Sequence, residues 1–246
     1  MENYRGLAGV YDYLVAGVDF EGWADYLEEM LGRFGARPAG VLDLACGTGN
    51  TLLPLARRGY RAGGVDISPE MIDLARQKAL DQGLEVNLYV GDIRQFLLDS
   101  PVDLVTCFHD GLNYLTEAGD LAGAFACTYK NLAPGGLFIF DLNAVDWIGP
   151  SDDAPVVIEE EDLTIIYRTF HDTGASLWTV EITCFVREGG LYRKFSETHR
   201  ERGYGRTEVE GMLAGAGFIP LAVYGDFSFD PPQPGGRRHF YAARRP

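Results

Sequence analysis

Hydrophobic residues in the first 145 positions occur mainly as short runs that end beside a glycine or an acidic residue. Short apolar runs bounded by turn residues are typical of buried strands. Between these predicted strands lie segments whose apolar residues fall on one face of a helix. Strands that alternate with such helices predict a parallel sheet covered by helices. The predicted strands are residues 41–45, 62–66, 86–91, 102–107 and 137–141.

The segment before the first predicted strand is rich in aromatic residues. A short helix is predicted at Tyr11 and Asp12, and a longer one at residues 20–34 with Trp23 on its apolar face. Most of these aromatic side chains are expected to pack in the core, because apolar helix faces normally turn inward.

The pattern changes between residues 156 and 204, where runs rich in β-branched and aromatic residues replace the helix-strand alternation. Turn-forming residues at 172–174 and 188–190 separate these runs, so hairpins are predicted. We expect an antiparallel meander inserted before a last helix at 208–217. Strands at 218–224 and 239–242 would then complete the sheet as an antiparallel hairpin.

The most informative stretch is Asp-Leu-Ala-Cys-Gly-Thr-Gly at 43–49. Its acid lies near the carboxyl end of a buried strand, which is where open parallel sheets place their ligands. Gly47 and Gly49 allow a tight turn that brings backbone N–H groups close to a ligand. A glycine turn between a strand and a helix is by itself weak evidence of a binding site, so the surrounding sequence has to confirm the motif.

This stretch resembles the first motif of class I S-adenosylmethionine (SAM)-dependent methyltransferases. The resemblance continues through the Leu-Ala-Pro-Gly-Gly turn at 132–136, the meander and the terminal hairpin. It implies an α/β fold with a seven-stranded, mostly parallel sheet of order 3-2-1-4-5-7-6, strand 7 antiparallel, flanked by helices.

The resemblance also implies three parts of the chain. These are a helical lid at 1–36, a SAM-binding core at 37–150 and 205–246, and an antiparallel β insertion at 151–204. The insertion would roof the acceptor site, as in sugar N-methyltransferases. A sheet used only for packing or oligomerisation is the alternative.

Acidic residues end the second and third predicted strands. A carboxylate at Asp66 can accept hydrogen bonds from both ribose hydroxyls of an adenosyl group, although it could instead cap the following turn. By resemblance, Asp92 would accept a hydrogen bond from the adenine amino group; the alternative is an ordinary turn aspartate. The cofactor-binding residues implied in this way are Tyr4, Tyr11, Trp23, Asp43, Ala45, Cys46, Gly47, Gly49, Asn50, Asp66, Ile67, Met71, Asp92, Ile93, Phe108 and His109.

The loop after the fourth predicted strand should open toward the substrate. The unperturbed pKa of histidine suits proton removal near neutral pH, so His109 is a candidate general base, with Tyr114 as a second catalytic candidate. His109 could equally form a hydrogen-bonding wall for SAM or be satisfied within its loop. Substrate contacts are expected from Asn113, Tyr114, Asn143 and His199.

Composition mainly narrows the choice of partner. Apolar residues make up 46% and charged residues 23% of the chain, as in ordinary globular proteins. The net charge of −15 disfavours nucleic acid and anionic membranes as partners, although acidity can also serve solubility alone. Four cysteines without paired spacing, and an N-terminus without a signal-peptide pattern, indicate a cytoplasmic protein. The four histidines are scattered, so no metal is expected.

These observations predict an enzyme that transfers the methyl group of SAM to a nucleophile on an unidentified small molecule. Nitrogen, oxygen and carbon acceptors are all open at this point, and so is the choice between monomer and homodimer. A non-catalytic SAM-binding module or partner subunit is one alternative. A nicotinamide-dependent dehydrogenase is another, but Leu52 stands where the dinucleotide fingerprint has its third glycine.

Overall fold

Two β-sheets organise the chain in the computed structural model, which describes residues 6–145 and 154–246. The larger sheet has seven strands and the smaller has four. The strands are β1 (Gly40–Leu44), β2 (Arg61–Asp66), β3 (Asn87–Val90), β4 (Val102–Cys107), β5 (Leu132–Asn143), β6 (Val156–Glu160), β7 (Leu163–Asp172), β8 (Leu177–Glu188), β9 (Leu191–Arg202), β10 (Ile219–Gly225) and β11 (Arg238–Arg244).

The seven-stranded sheet has the order β10-β11-β5-β4-β1-β2-β3. Strand β1, next to the central strand β4, is buried along its whole length and runs parallel to both neighbours, with Val41 opposite Ala62 of β2 and Leu104 of β4. Only β11 runs antiparallel to its neighbours, β5 and β10. This arrangement confirms the predicted strand order and the antiparallel terminal hairpin.

Six α-helices occur in the described part of the chain. They are α1 (Tyr11–Leu14), α2 (Phe20–Arg33), α3 (Leu52–Arg57), α4 (Pro69–Asp81), α5 (Ala118–Asn131) and α6 (Arg206–Gly215). The start of α4 shows how local sequence sets an element: the Ser68 hydroxyl accepts a hydrogen bond from the Met71 N–H at 3.2 Å, and Pro69 opens the first turn.

The sheet is covered on both faces. Leu42 belongs to an apolar cluster with Phe125 of α5, whereas its neighbour Val41 belongs to another with Leu27 of α2. This division follows from the strand geometry, because successive side chains point to opposite faces of a sheet. The core therefore consists of two layers, and the loops at the carboxyl edge of the parallel strands are left to form a site.

The first residues of β5 differ from the sequence prediction. The strand begins at Leu132, earlier than the predicted 137–141, and its pairing with β4 shifts register between Val102 and Leu104. The Pro-Gly-Gly segment lies within this irregular stretch, with Gly135 at a φ of 82°. The Pro-Gly-Gly residues therefore lie inside the strand, where they coincide with a break in its register.

The smaller sheet is an antiparallel meander of order β6-β7-β8-β9, which confirms the predicted insertion. Leu7 and Val10, which precede α1, pack against Ile165 and Cys184 on one face of this sheet. The N-terminal segment is thus held between the meander and the seven-stranded core. In residues 6–145 and 154–246, no helix has the length and apolarity required to cross a membrane.

Candidate active site

A cavity that opens to solvent, with about 850 Å³ of empty space including its mouth, lies at the carboxyl edge of β1, β2 and β4. Open parallel sheets place their ligands in crevices at this edge. Ten residues singled out from the sequence line it: Tyr11, Ala45, Gly47, Asp66, Ile67, Met71, Asp92, Ile93, His109 and Tyr114. Residues far apart in sequence therefore meet in one place, as the strand-end argument requires.

The loop after β1 has a left-handed backbone at Ala45 and Gly47, with φ of 51° and 53°. Left-handed geometry is uncommon for alanine, and such strain is often found at functional loops. At Gly47, a Cβ atom would meet no other atom within 4 Å, so the backbone faces open space. The loop therefore presents its main chain to the cavity.

Asp66 closes the floor of the cavity at the end of β2. Its carboxylate accepts hydrogen bonds from the Gly47 N–H and the Ser68 N–H, both at 2.9 Å. Burial raises the pKa of this acid, and the backbone N–H groups oppose that rise. A carboxylate offers about four acceptor positions. The side chain can therefore accept further hydrogen bonds from a ligand while it holds the glycine loop.

Asp43 lies behind the loop and does not line the cavity. It is fully buried, and its two carboxylate oxygens accept hydrogen bonds from Thr51 at 2.6 Å and Thr106 at 2.7 Å. Burial raises its pKa to about 6 despite these bonds. In this arrangement the acid braces the loop against β4 and α3, which differs from the direct ligand contact expected from the sequence.

Asp92 lines the far end of the cavity and has a strong partner that sequence reasoning missed. Arg94 forms a forked pair with it, at 3.0 Å through Nε and 2.6 Å through Nη2, and this pair lowers the pKa of Asp92. Arg94 also contacts Asp120 of α5 at 2.7 Å. The Asp-x-Arg spacing offered a local signal for the first contact, but the second depends on tertiary structure.

The wall beside Asp66 is apolar. Ile67 is 48% exposed in spite of its hydrophobic side chain, and it lines the cavity together with Met71 and Ile93. An exposed apolar surface that lines a cavity is typical of a binding site.

A second cavity, of about 530 Å³, lies between the N-terminal segment and the meander. Tyr11, His109 and Tyr114 line both cavities, so these three side chains stand where the two meet. His199 of β9 lines the second cavity and is 3.2 Å from the Tyr114 hydroxyl through Nδ1. Glu201, which the sequence reasoning did not select, lines the same space.

Comparison with known proteins places this geometry in a family. A family model described as a methyltransferase domain matches residues 41–136. A Bacillus subtilis (strain 168) protein named as a methyltransferase, YqeM, is 31% identical over 244 residues, which cover 98% of this chain and 97% of that protein. This chain belongs to the class I SAM-dependent methyltransferases.

Two solved structures and a further relative in sequence agree with this assignment. A SAM-dependent methyltransferase from Clostridium acetobutylicum ATCC 824 superposes with a TM-score of 0.86 at 29% identity, over 98% of each chain. The sugar N-methyltransferase KedS8 from Streptoalloteichus sp. ATCC 53650 has a TM-score of 0.80 at 24% identity, over 96% of this chain and 93% of that one, which shows the fold alone. A dTDP-amino-sugar N,N-dimethyltransferase from Streptomyces venezuelae is 25% identical over 220 residues, covering 85% of this chain and 89% of that protein.

Helix α1 is fastened to the core of the methyltransferase through one acid. The Asp12 carboxylate accepts hydrogen bonds from Thr48 at 2.8 Å, Asn50 at 2.9 Å and Lys78 at 2.9 Å. On the other side, Glu197 of β9 accepts hydrogen bonds from the N–H groups of Gly6 and Leu7. The segment that carries Tyr11 is therefore tied both to the glycine loop and to the meander.

Several expected cofactor residues lie behind the cavity wall. Trp23 and Phe108 are buried, and their rings meet edge to face at 5.5 Å. Trp23 also lies 5.7 Å from the His109 ring, so it supports this wall and does not line the cavity. Cys46, Gly49 and Asn50 likewise do not line it, and Tyr4 lies outside the described residues.

Asn113 and Asn143 line neither of the two cavities. Asn113 is fully buried, donates a hydrogen bond to the Arg202 carbonyl at 2.7 Å, and accepts one from the Asn143 N–H at 3.1 Å. These contacts join the loop after β4 to β5 and β9. In this structure the pair positions the loop after β4 and borders neither cavity.

A buried ionic cluster supports the same loop. Arg238 of β11 forms ion pairs with Asp110, at 2.5 Å, and with Asp141 of β5. His109 and Asp110 both have a left-handed backbone, with φ of 61° and 65°. The ion pairs hold this strained backbone in place, which directs the His109 side chain to the junction of the cavities. Among the described residues, no group of three or more His, Cys, Asp or Glu is arranged to hold a metal ion.

Proposed function

We propose that the methyltransferase transfers the methyl group of SAM to a nucleophile on a small molecule. SAM would occupy the cavity at the carboxyl edge of the sheet, and the acceptor would occupy the cavity beneath the meander. The observation that carries the proposal is Asp66, a buried carboxylate at the tip of β2 that holds the glycine loop and still has acceptor positions toward the cavity.

The residues around the first cavity fit SAM. Asp66 would accept hydrogen bonds from the ribose hydroxyls, and the exposed backbone at Gly47 allows a ligand to approach closely. Ile67 and Ile93 would pack against the adenine ring, and Asp92 would lie at its polar edge. SAM supplies a methyl group on a positively charged sulfur, which an electron pair of the acceptor attacks.

The protein's part in this reaction is to orient the two reactants and keep water away. Correct orientation of two bound reactants can supply a large part of the reduction in the activation barrier. His109 stands at the junction of the cavities, and burial lowers its pKa, so its imidazole is neutral near pH 7. A neutral imidazole can accept a proton from the acceptor, and Tyr114, which is hydrogen bonded to His199, is the second candidate for that step.

The three parts of the chain have separate roles in this proposal. Residues 1–36 form the lid, 37–150 and 205–246 form the SAM-binding core, and 151–204 roof the acceptor. Support comes from the contacts of the N-terminal segment with both sheets and from the second cavity that lies between this segment and the meander. A small acceptor is further supported by the relatives named as sugar N,N-dimethyltransferases, and the net charge of −15 makes nucleic acid an unfavourable partner.

Binding of SAM, S-adenosylhomocysteine and NADH, measured by isothermal titration calorimetry, tests the first part of this proposal. Replacing Asp66 by asparagine should weaken S-adenosylhomocysteine binding by about 2–3 kcal/mol, or roughly 30- to 150-fold, because hydrogen bonds to a charged group are lost. Asp73→Asn is the matched control, since Asp73 is an exposed acid on α4 paired only at the surface with Arg76. Equal binding by the two variants, or a preference for NADH, would overturn the proposal.

A further inference from the structure

The second cavity contains a buried acid whose hydrogen-bonding capacity is incomplete. Glu201 of β9 is 7% exposed and lines the cavity. The Trp178 side chain donates a hydrogen bond to its carboxylate, but within the part of the chain that the structure describes its Oε2 atom has no hydrogen-bond partner. Buried polar atoms are normally paired, so an unpaired atom on a side chain that lines a cavity points to a ligand.

The charges near Glu201 are predominantly negative. Asp110 lines the same cavity, and Arg238, which is nearby, is shared between Asp110 and Asp141. In this buried group the carboxylates of Glu201, Asp110 and Asp141 therefore share the one guanidinium of Arg238. The charge of Arg237 also lowers the pKa of Glu201, but Arg237 is exposed to solvent. The titratable side chains that complete the lining are Tyr11, Tyr114, His109 and His199. Burial lowers the pKa of both histidines, so they add little positive charge near pH 7.

We propose that this cavity takes a small-molecule amine, whose ammonium form binds the Glu201 carboxylate. The inference rests on the proposed function and names the chemical class of its acceptor. An ammonium group supplies both the hydrogen bond that Oε2 lacks and the positive charge that the cluster lacks. A phosphate or carboxylate in the same position would bring a further negative charge into a buried acidic site, which is strongly unfavourable.

Glu201 also suits the proton transfer that an amine requires. A nitrogen attacks through its lone pair, so the ammonium must first give up one proton. Burial, followed by the charge of Asp110, raises the pKa of Glu201 well above its ordinary value, which makes the carboxylate a better proton acceptor. The proton would pass from nitrogen to the carboxylate, which leaves a neutral amine beside a neutral acid.

The test compares matched amines and alcohols as probes: cyclohexylamine with cyclohexanol, benzylamine with benzyl alcohol, and glucosamine with glucose. Binding of each probe to the protein saturated with S-adenosylhomocysteine is measured by calorimetry and by ligand-observed NMR. The variant is Glu201→Gln, and the control is Glu181→Gln, an exposed glutamate on β8 of the same meander. Thermal unfolding and S-adenosylhomocysteine affinity show whether each variant is folded.

The inference predicts that at least one amine binds tenfold or more tightly than its alcohol, a difference of about 1.4 kcal/mol. Glu201→Gln should remove this preference, and Glu181→Gln should retain it. Equal binding within every pair, no binding by any amine, or a preference that survives Glu201→Gln would overturn the inference. If S-adenosylhomocysteine itself binds normally in these cases, the proposed methyl transfer stands and only the acceptor class is wrong.

Discussion

The contact between the core and Asp12, which belongs to the proposed lid, should control how tightly the adenosyl ligand is held. Asp12 accepts hydrogen bonds from Thr48, Asn50 and Lys78, and it belongs to the short helix that carries Tyr11 into both cavities. Asp12→Ala removes all three bonds at once. Because α1 contributes little to the main core, the change should free the lid without unfolding the protein.

The size of the effect follows from exposure. The Asp12 side chain is 48% exposed and that of Lys78 is 26% exposed, so solvent screens the ion pair. An ordinary hydrogen bond contributes about 0.5–1.5 kcal/mol, and we take this range for the solvent-screened bonds that Thr48 and Asn50 donate to the Asp12 carboxylate; an exposed ion pair contributes about 0.2–1 kcal/mol. After allowance for exposure, the loss is about 1–2 kcal/mol. That corresponds to a roughly 5- to 30-fold lower affinity for S-adenosylhomocysteine if the lid must close over it.

Stopped-flow fluorescence and calorimetry can measure this change. The dissociation rate should account for most of it, because a loosened lid releases the ligand faster, and the unfolding temperature should change little. Asp73→Ala provides the control, since it breaks a comparable exposed ion pair on α4 away from the lid. An unchanged affinity in Asp12→Ala would show that closure of α1 is not coupled to binding, and the reasoning would be refuted.

Three further predictions concern the buried acids around the site. Thr51→Val removes a hydrogen bond to the fully buried Asp43 and should lower the free energy of unfolding by about 1–3 kcal/mol, measured by urea denaturation. A loss below about 0.5 kcal/mol, roughly half the net contribution of one hydrogen bond, would contradict the proposed role of Asp43 in bracing the loop. Arg238→Met leaves Asp110 and Asp141 without their shared cation and should cost about 3–5 kcal/mol, whereas calorimetric melting unchanged from wild type would refute the importance of the cluster. Burial raises the pKa of Asp43 to about 6, above its value in the unfolded chain. Between about pH 4 and 6 the folded state therefore binds more protons than the unfolded state, and the stability of the protein should fall as pH rises through this range. Asp43→Asn should reduce the slope of melting temperature against pH, and an identical slope in the variant would exclude Asp43 as its source.

Sequence patterns predicted the elements with strong local signals. The strand β4 was predicted with the bounds that the structure gives it, because an apolar run defines it. The start of β5 was predicted less well, since a strand that continues through Pro134 and two glycines with a shift in register has no simple local pattern.

The sequence predicted the site residues whose position depends only on where a strand ends. Asp66 and Asp92 lie at the cavity because the carboxyl ends of parallel strands share one edge. Partners supplied by distant elements were missed: Lys78 meets Asp12 across 66 residues, and Glu201 reaches the second cavity only because the meander folds back. Spacing along the chain carries no information about such contacts, so only the fold shows them.

Transfer of an isotopically labelled methyl group from SAM to small molecules tests the central claim most directly. Purified protein and labelled SAM would be incubated with the matched amines and alcohols and, separately, with the small-molecule fraction of a bacterial extract. The products would be identified by mass spectrometry. The account predicts a labelled product, formed together with an equal amount of S-adenosylhomocysteine, and its loss in Asp66→Asn but not in Asp73→Asn. Tight binding of SAM without any labelled product or S-adenosylhomocysteine above background would contradict the account and indicate a SAM-binding protein without catalysis.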